Sequence, residues 1–301
     1  MGPTRDAGTE IGRAFAPGHL TGIFAPRLAA RDPRGRGSVG AGLVLELGVH
    51  ATAAWTAGAR DRVTVKSRPG GARPISLDAA RRVKGERPGA LVVDLVHDLP
   101  IGQGLGMSAA GALATARAVA RAVGEDPEKA VETAHLADLF GGGGLGGVAA
   151  ILGGGLEIRK KAGVPPWGEV ERLPFPEPVF VVVVGRPIAS PALLRRPEFL
   201  ARVEASAAVG LRSLQDRPTP SRFLREAELF TDRLALAPPG LRRTIDRLRR
   251  SGASVAQAMF GRTVFAVASG TEGRDRLIRA LVDARLPAVE LRVAAPFSQA
   301  L

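Results

Sequence analysis

The amino-acid sequence predicts a mixed α+β chain folded in two lobes, and three observations lead there. The first third alternates short β-branched apolar runs with Gly/Pro turns. A strand, a glycine-rich turn and an alanine-rich helix then follow in immediate succession at 90–123. Beyond a Pro/Gly connector at 162–168, amphipathic helices alternate with apolar strands. A chain of 301 residues is long enough to bury a substantial core, and the two lobes are placed at 13–161 and 169–301.

Residues before Arg13 are rich in Gly, Thr and charge and read as a loose arm. Strands are expected at 43–49, 50–55, 62–67 and 91–96, where β-branched and apolar residues recur between turn formers. The alanine-rich segment 109–123 is a strong helix former that ends at Gly124, and a second helix spans 127–140. A short helix near Val148 and a strand at 155–160 close the first lobe. The run 179–184 is a buried strand, followed by helices at 198–214, 221–234 and 241–250. Strands near 263–268 and 288–293 flank a helix at 273–284, and no repeat of solenoid period is visible.

Composition narrows the function. There is no cysteine, so neither a disulfide framework nor a thiolate metal site can form, and the four histidines are scattered. No basic-plus-apolar leader precedes Ala14, and no apolar run approaches the ~20 residues needed to span a bilayer, so the expectation is a cytoplasmic protein without a membrane partner. The net charge of +13 sets five lysines and 37 arginines against 29 acidic residues. The arginine clusters are not interleaved with aromatics, so a solvated basic face is expected rather than specific nucleic-acid binding. Such a field still favours anionic small molecules.

The most informative segment is Pro100-Ile-Gly-Gln-Gly-Leu-Gly-Met-Ser-Ala-Ala-Gly111. Glycines at 102, 104 and 106 let the backbone take positive φ and approach an anion. The helix behind them offers unpaired N–H groups and the positive end of its dipole. Ser108 falls in the first helical turn, placed for a phosphate oxygen or a phosphate-bound Mg²⁺. No Gly-Lys-Ser/Thr follows, so this is not the common nucleotide loop. The same glycines would also serve a tight strand-to-helix turn with no ligand.

Together with Ala14-Phe-Ala-Pro-Gly-His-Leu-Thr-Gly22, this segment resembles the first two motifs of the GHMP family of small-molecule kinases. Within that family the pattern is most similar to the archaeal-type pantoate kinases. Four stretches carry the similarity: Ala16 to Phe24, Gly37 to Gly42, the glycine loop, and His135 through Arg159. Gly252 to Gly261 is a glycine-poor version of the third motif. The resemblance implies an N-terminal βαβ-type domain, a C-terminal ferredoxin-like domain, and transfer of a phosphoryl group from ATP to pantoate with Mg²⁺. A homoserine or mevalonate kinase, or an impaired nucleotide- or metabolite-binding relative, are the alternatives, and a homodimer stays open.

Carried over residue by residue, the nucleotide-binding set is Pro100, Gly102, Gly104, Leu105, Gly106, Met107, Ser108 and Ala109. Ser108 and Asp138 are the catalytic and metal-holding pair, and Ser38, His135 and Arg159 hold the acceptor. From the residues themselves, Glu132, His135 and Asp138 lie at helical spacing, which is equally the pattern of a solvated polar stripe. The Arg159 guanidinium matches a carboxylate in two hydrogen bonds, although a strand-end surface charge reads the same way. Ser38 between glycines also suits a plain turn. One departure stands out: relatives carry an aspartate where Gly147 stands here.

Overall fold

The computed structural model describes residues 8–71, 73–187, 192, 194 and 196–297. Two sheets organise these residues. In the first, β1 (Thr9–Arg27) and β2 (Gly37–Ala57) form a long antiparallel hairpin. The other side of β2 pairs in its first half with β5 (Leu156–Lys161), and β5 in turn pairs with β6 (Glu169–Leu173). In its second half it pairs with β4 (Gly89–His97), which runs parallel to β3 (Arg62–Arg68). Helix α1 (Pro74–Lys84) makes the crossover between β3 and β4.

The expected loose arm and short strands are corrected here. Residues 1–7 lie outside the described residues, but Thr9–Arg27 is one continuous strand and Gly37–Ala57 another. Pro17, Gly18 and Gly48 do not end these strands; they mark a register shift between Pro17 and His19, followed by a second between Thr21 and Ile23. Bulges of this kind re-aim side chains, and both flank residues that reach the cavity described below. Helix α1, strand β6 and a strand at Ser254–Gln257 were not anticipated from the sequence: the first and last are short, and three of the five residues of β6 are charged.

Helix α2 (Met107–Ala122) lies between the first sheet and the helices α1 and α3 (Ala130–Phe140). It is buried on almost every side, which its alanines and Gly111 permit without bulk. A short α4 (Gly147–Ala150) precedes β5. No helix among the described residues is long and apolar enough to cross a membrane.

The second sheet contains β7 (Val179–Val183), β8 (Ser254–Gln257), β9 (Thr263–Val267) and β10 (Ala288–Leu291) in the antiparallel order β10-β7-β9-β8. This fourth-first-third-second order is that of a ferredoxin-like unit. Helices α5 (Pro197–Asp216), α6 (Pro220–Leu234) and α7 (Pro239–Arg249) separate β7 from β8, and α8 (Gly270–Asp283) separates β9 from β10. Both faces are covered. Phe180, Val182, Val264 and Ala266 pack with Leu241, Ile245, Leu248 and Leu277, while Val179, Val181, Phe265 and Val267 join the main core. That is why 179–184 reads as an unbroken apolar run.

The lobes are joined by more than the connector. Helices α5 and α6 pack on β1, where Gly22 leaves room for the fully buried Phe223: a Cβ at Gly22 would lie 2.6 Å from that ring. Phe223 also stacks on Phe265 at 6.4 Å. Past β10 the chain returns to the first sheet, with Ala294 N donating to Val44 O at 2.8 Å and Gly155 N to Ala294 O at 2.7 Å. Truncating Phe223 to alanine therefore removes packing from both lobes at once. The expected loss is about 3–5 kcal/mol, read as a shift in the urea midpoint with unchanged slope.

Candidate active site

The glycine loop adopts the backbone its sequence suggests. Gly102, Gly104 and Gly106 have φ of 74°, 82° and 71°. The last two also stand where no side chain fits: a Cβ on Gly104 would lie 2.7 Å from Ala258 O, and one on Gly106 2.9 Å from His19 N. The loop is thereby wedged between β1 and the 258–261 segment of the second lobe, and His19 N donates to Leu105 O at 3.0 Å. Gly106 is the N-cap of α2 and supplies no capping side chain, so the first-turn N–H groups face the cavity without one.

The cavity has a volume of about 270 Å³ and draws its walls from both lobes. Gly102, Gly104, Leu105, Gly106, Met107, Ser108 and Ala109 line it, together with Ser38, Asp138 and Arg159. Two members of the expected set do not. Pro100 is exposed ahead of the loop. His135 is buried against the turn at 33–36, where its ring meets the backbone of Pro33 and Arg36 and burial lowers its pKa. Three residues along a helix are about 4.5 Å of rise, so Asp138 reaches the cavity while His135 meets the turn one step below. Glu132, another turn back, pairs with Arg34 on the surface at 3.1 Å.

Asp138 is 2 % exposed, and burial pushes its carboxyl up to about 6, against the opposing pull of the Ser108 hydroxyl. Ser108 Oγ donates to Gly143 O at 3.3 Å. Among the described residues Asp138 Oδ1 is buried without a hydrogen-bond partner, a costly arrangement in a folded protein unless a cation or donor completes it. The glycine-rich turn 142–147 runs from this carboxylate to a second orphan, Arg159 Nε. At the far end a Cβ on Gly146 would lie 2.8 Å from Ser38 Oγ and 3.5 Å from Arg159 Nε. Hydroxyl and guanidinium thus converge on one stretch of wall.

Arg159 is held by Glu157, which is fully buried. The same Glu157 Oε1 accepts from His19 Nε2 at 2.9 Å, and the Thr21 hydroxyl meets His19 Nδ1 at 3.2 Å. Despite the neighbouring carboxylate, burial dominates and holds the His19 pKa below its ordinary value. The sequence reading missed Glu157 as a site residue and used His19 and Thr21 only through the resemblance, as pointers to the acceptor. The available signal was strand alternation, which puts Glu157 and Arg159 on the same inward face of β5. Met259 and Phe260, from the second lobe, had no such signal.

Chemically, the arrangement offers an anion cradle, a carboxylate with an open coordination position, and a guanidinium–hydroxyl pair suited to a carboxylate. Among the described residues there is no cluster of three metal-ligating side chains.

Comparison with known proteins places the chain by sequence and by fold. Residues 75–155 match the family model "GHMP kinases N terminal domain" and 207–288 match "GHMP kinases C terminal". The chain is 31 % identical over 285 residues to a pantoate kinase of Thermococcus kodakarensis, covering 91 % of this chain and 93 % of that one. It is 28 % identical to a pantoate kinase of Methanospirillum hungatei, with 86 % and 88 % covered. A solved structure described as a phosphotransferase related to the CoA biosynthesis pathway superposes with a TM-score of 0.82 at 30 % identity, over 96 % of this chain and 97 % of the other. A homoserine kinase from Cytophaga hutchinsonii, at 16 % identity and a TM-score of 0.65, shares the fold. In sequence and in fold, the chain belongs to the GHMP kinase family.

Proposed function

We propose that this protein transfers the γ-phosphoryl group of ATP to the hydroxyl of pantoate, giving 4-phosphopantoate. The observation that carries the reading is a single cavity in which the glycine loop and Asp138 share walls with Arg159 and Ser38. Donor phosphates and an acceptor carboxylate are thereby recognised side by side. The relatives most similar along nearly the whole chain are pantoate kinases, which favours this acceptor over homoserine or mevalonate.

In this reading the N–H groups of the 102–108 loop and of the first turn of α2 cradle the phosphates. Ser108 and the orphaned Asp138 Oδ1 would hold Mg²⁺. When bound, the ion neutralises charge on the β- and γ-phosphates. Arg159 and Ser38 grip the acceptor carboxylate, so its hydroxyl is delivered in one orientation. The Glu157 carboxylate keeps the guanidinium from turning away. Phosphoryl transfer asks little covalent chemistry of the protein, so positioning and charge make up most of the contribution.

The missing acid at 147 has a steric explanation. Gly147 does not adopt positive φ, yet a Cβ there would lie 2.6 Å from Ala109 Cβ and 3.6 Å from Asp138 Oδ2. A carboxylate at 147 would thus meet both a methyl group that cannot move aside and the like charge of Asp138. Gly147→Asp alone is expected to lower stability without raising the rate. Adding Ala109→Gly should recover the stability, and steady-state kinetics with thermal melts on the single and double variants check this.

Three further outcomes are expected. In a panel of hydroxy acids with ATP and Mg²⁺, scored by ADP release and product mass, pantoate should be used well ahead of homoserine, mevalonate and galactose. Ser38→Ala should raise the KM for pantoate about tenfold or more while leaving that for ATP unchanged, the effect of losing one hydrogen bond to a charged group.

Asp138 ties activity and stability to pH in opposite directions. Ionised Asp138 is the form that holds the metal, so kcat/KM should fall as pH drops through about 6. Its folded-state pKa lies above the unfolded value of 3.8, so the unfolded chain releases this proton first and stability declines as pH rises from 3.8 to about 6. Asp138→Asn should accordingly cost about 10²-fold or more in kcat and melt no lower than the parent at pH 8.

A further inference from the structure

A chain of hydrogen bonds runs from the interior to the cavity wall through Glu157, His19 and Thr21, and its polarity can be assigned. Glu157 Oε1 accepts from Arg159, whose guanidinium can only donate, so this oxygen acts as an acceptor. The hydrogen between Glu157 and His19 therefore sits on His19 Nε2. Burial keeps the imidazole neutral, which leaves Nδ1 without a hydrogen. The Thr21 hydroxyl at 3.2 Å must then donate to Nδ1. A hydroxyl has one hydrogen. With it committed to His19, Thr21 can offer the cavity only lone pairs.

The placement is tightly built. Thr21 lines the same cavity as Ser108, Asp138 and Arg159. Its carbonyl accepts from Met259 N at 3.1 Å, and the register shifts on either side of 19–21 aim this stretch. The His19 ring lies over Gly42, where a Cβ would come within 2.4 Å of Nε2.

We propose that Thr21 accepts the hydrogen bond of the acceptor's reacting hydroxyl and relays its proton to His19, with Glu157 behind, so that these three residues serve the acceptor side of phosphoryl transfer. The inference rests on the kinase reading above. The acceptor oxygen bonds to the γ-phosphorus as the bond from that phosphorus to the bridging oxygen breaks, and the electron pair leaves with the nucleoside diphosphate. The acceptor proton passes to Thr21 Oγ1 while the Thr21 proton passes to His19 Nδ1. The resulting imidazolium keeps its hydrogen bond to Glu157, which favours the charge, while Arg159 and Arg172 oppose it and so favour return of the proton. Because the transition state is loose, the nucleophile needs orientation more than a strong base. A neutral buried imidazole behind a hydroxyl meets that need in a site where Gly147 supplies no carboxylate.

Two measurements test the relay. Thr21→Val keeps the shape and removes the hydroxyl; kcat should fall about 10²-fold, with the KM for ATP within threefold and the fold intact by circular dichroism. Thr21→Ser should recover most of that loss. A folded Thr21→Val protein with near-parental kcat and only a raised acceptor KM overturns the relay, as does a Thr21→Ser protein no better than Thr21→Val. Independently of turnover, ¹⁵N NMR of the imidazole, assigned by its disappearance in His19→Gln, should show the Nε2–H tautomer. An Nδ1–H tautomer leaves Thr21 its hydrogen and overturns the relay even in an active kinase. A parent protein that phosphorylates no hydroxy acid overturns the kinase reading itself, and the relay with it.

Discussion

The buried Glu157 carboxylate governs the geometry of the site. With no solvent exposure it cannot exist as a charge without partners, and it takes two, Arg159 on its own strand and His19 across the sheet. Those two bonds set the direction of the guanidinium that faces the acceptor and the tautomer of the imidazole behind Thr21. They also explain how charged and polar side chains at 3 % exposure are tolerated at the floor of a cavity. The cluster is a positioning device whose energetic return lies in orientation rather than in net stability.

Around that cluster, close backbone approach does the remaining work. The loop 102–106 reaches β1 and the 258–261 segment only because Gly104 and Gly106 carry no Cβ. The turn 142–147 brings its backbone within reach of Asp138, Ser108 and Ser38 for the same reason. The lobes therefore meet where glycine leaves out a side chain, and glycine backbone forms much of the cavity wall. Anionic ligands are what such a surface binds best. The arginine-rich exterior adds a long-range field of the same sign preference.

Asp138 and Arg159 show two ways of leaving a polar group incomplete. Among the described residues Asp138 has no cationic neighbour; burial raises its pKa to about 6, and its Oδ1 is short of a partner. Arg159 is paired through Nη1 yet keeps Nε free of hydrogen bonds. An unsatisfied carboxylate and an unsatisfied guanidinium nitrogen facing one cavity are complementary to a metal-bound phosphate and a carboxylate respectively. A structure optimised for stability alone would have closed both.

The sequence by itself determined the local pieces. The glycine loop, the alanine-rich helix behind it, the apolar run at 179–184 and the chemistry available at Ser38, Ser108, Asp138 and Arg159 are all matters of residue type and short-range spacing. Tertiary structure decided what those pieces share. The strand Thr9–Arg27 was hidden because Pro17 and Gly18 signal a break, and only the pairing with β2 turns that break into a bulge. His135 and Asp138 are indistinguishable by helical spacing, and the 33–36 turn packed over one of them separates a buried structural ring from a cavity carboxylate. Glu157 and Gly147 were equally opaque. The role of each depends on atoms more than 30 residues away, His19 in one case and Ala109 in the other, and such long-range contacts leave no period in the chain.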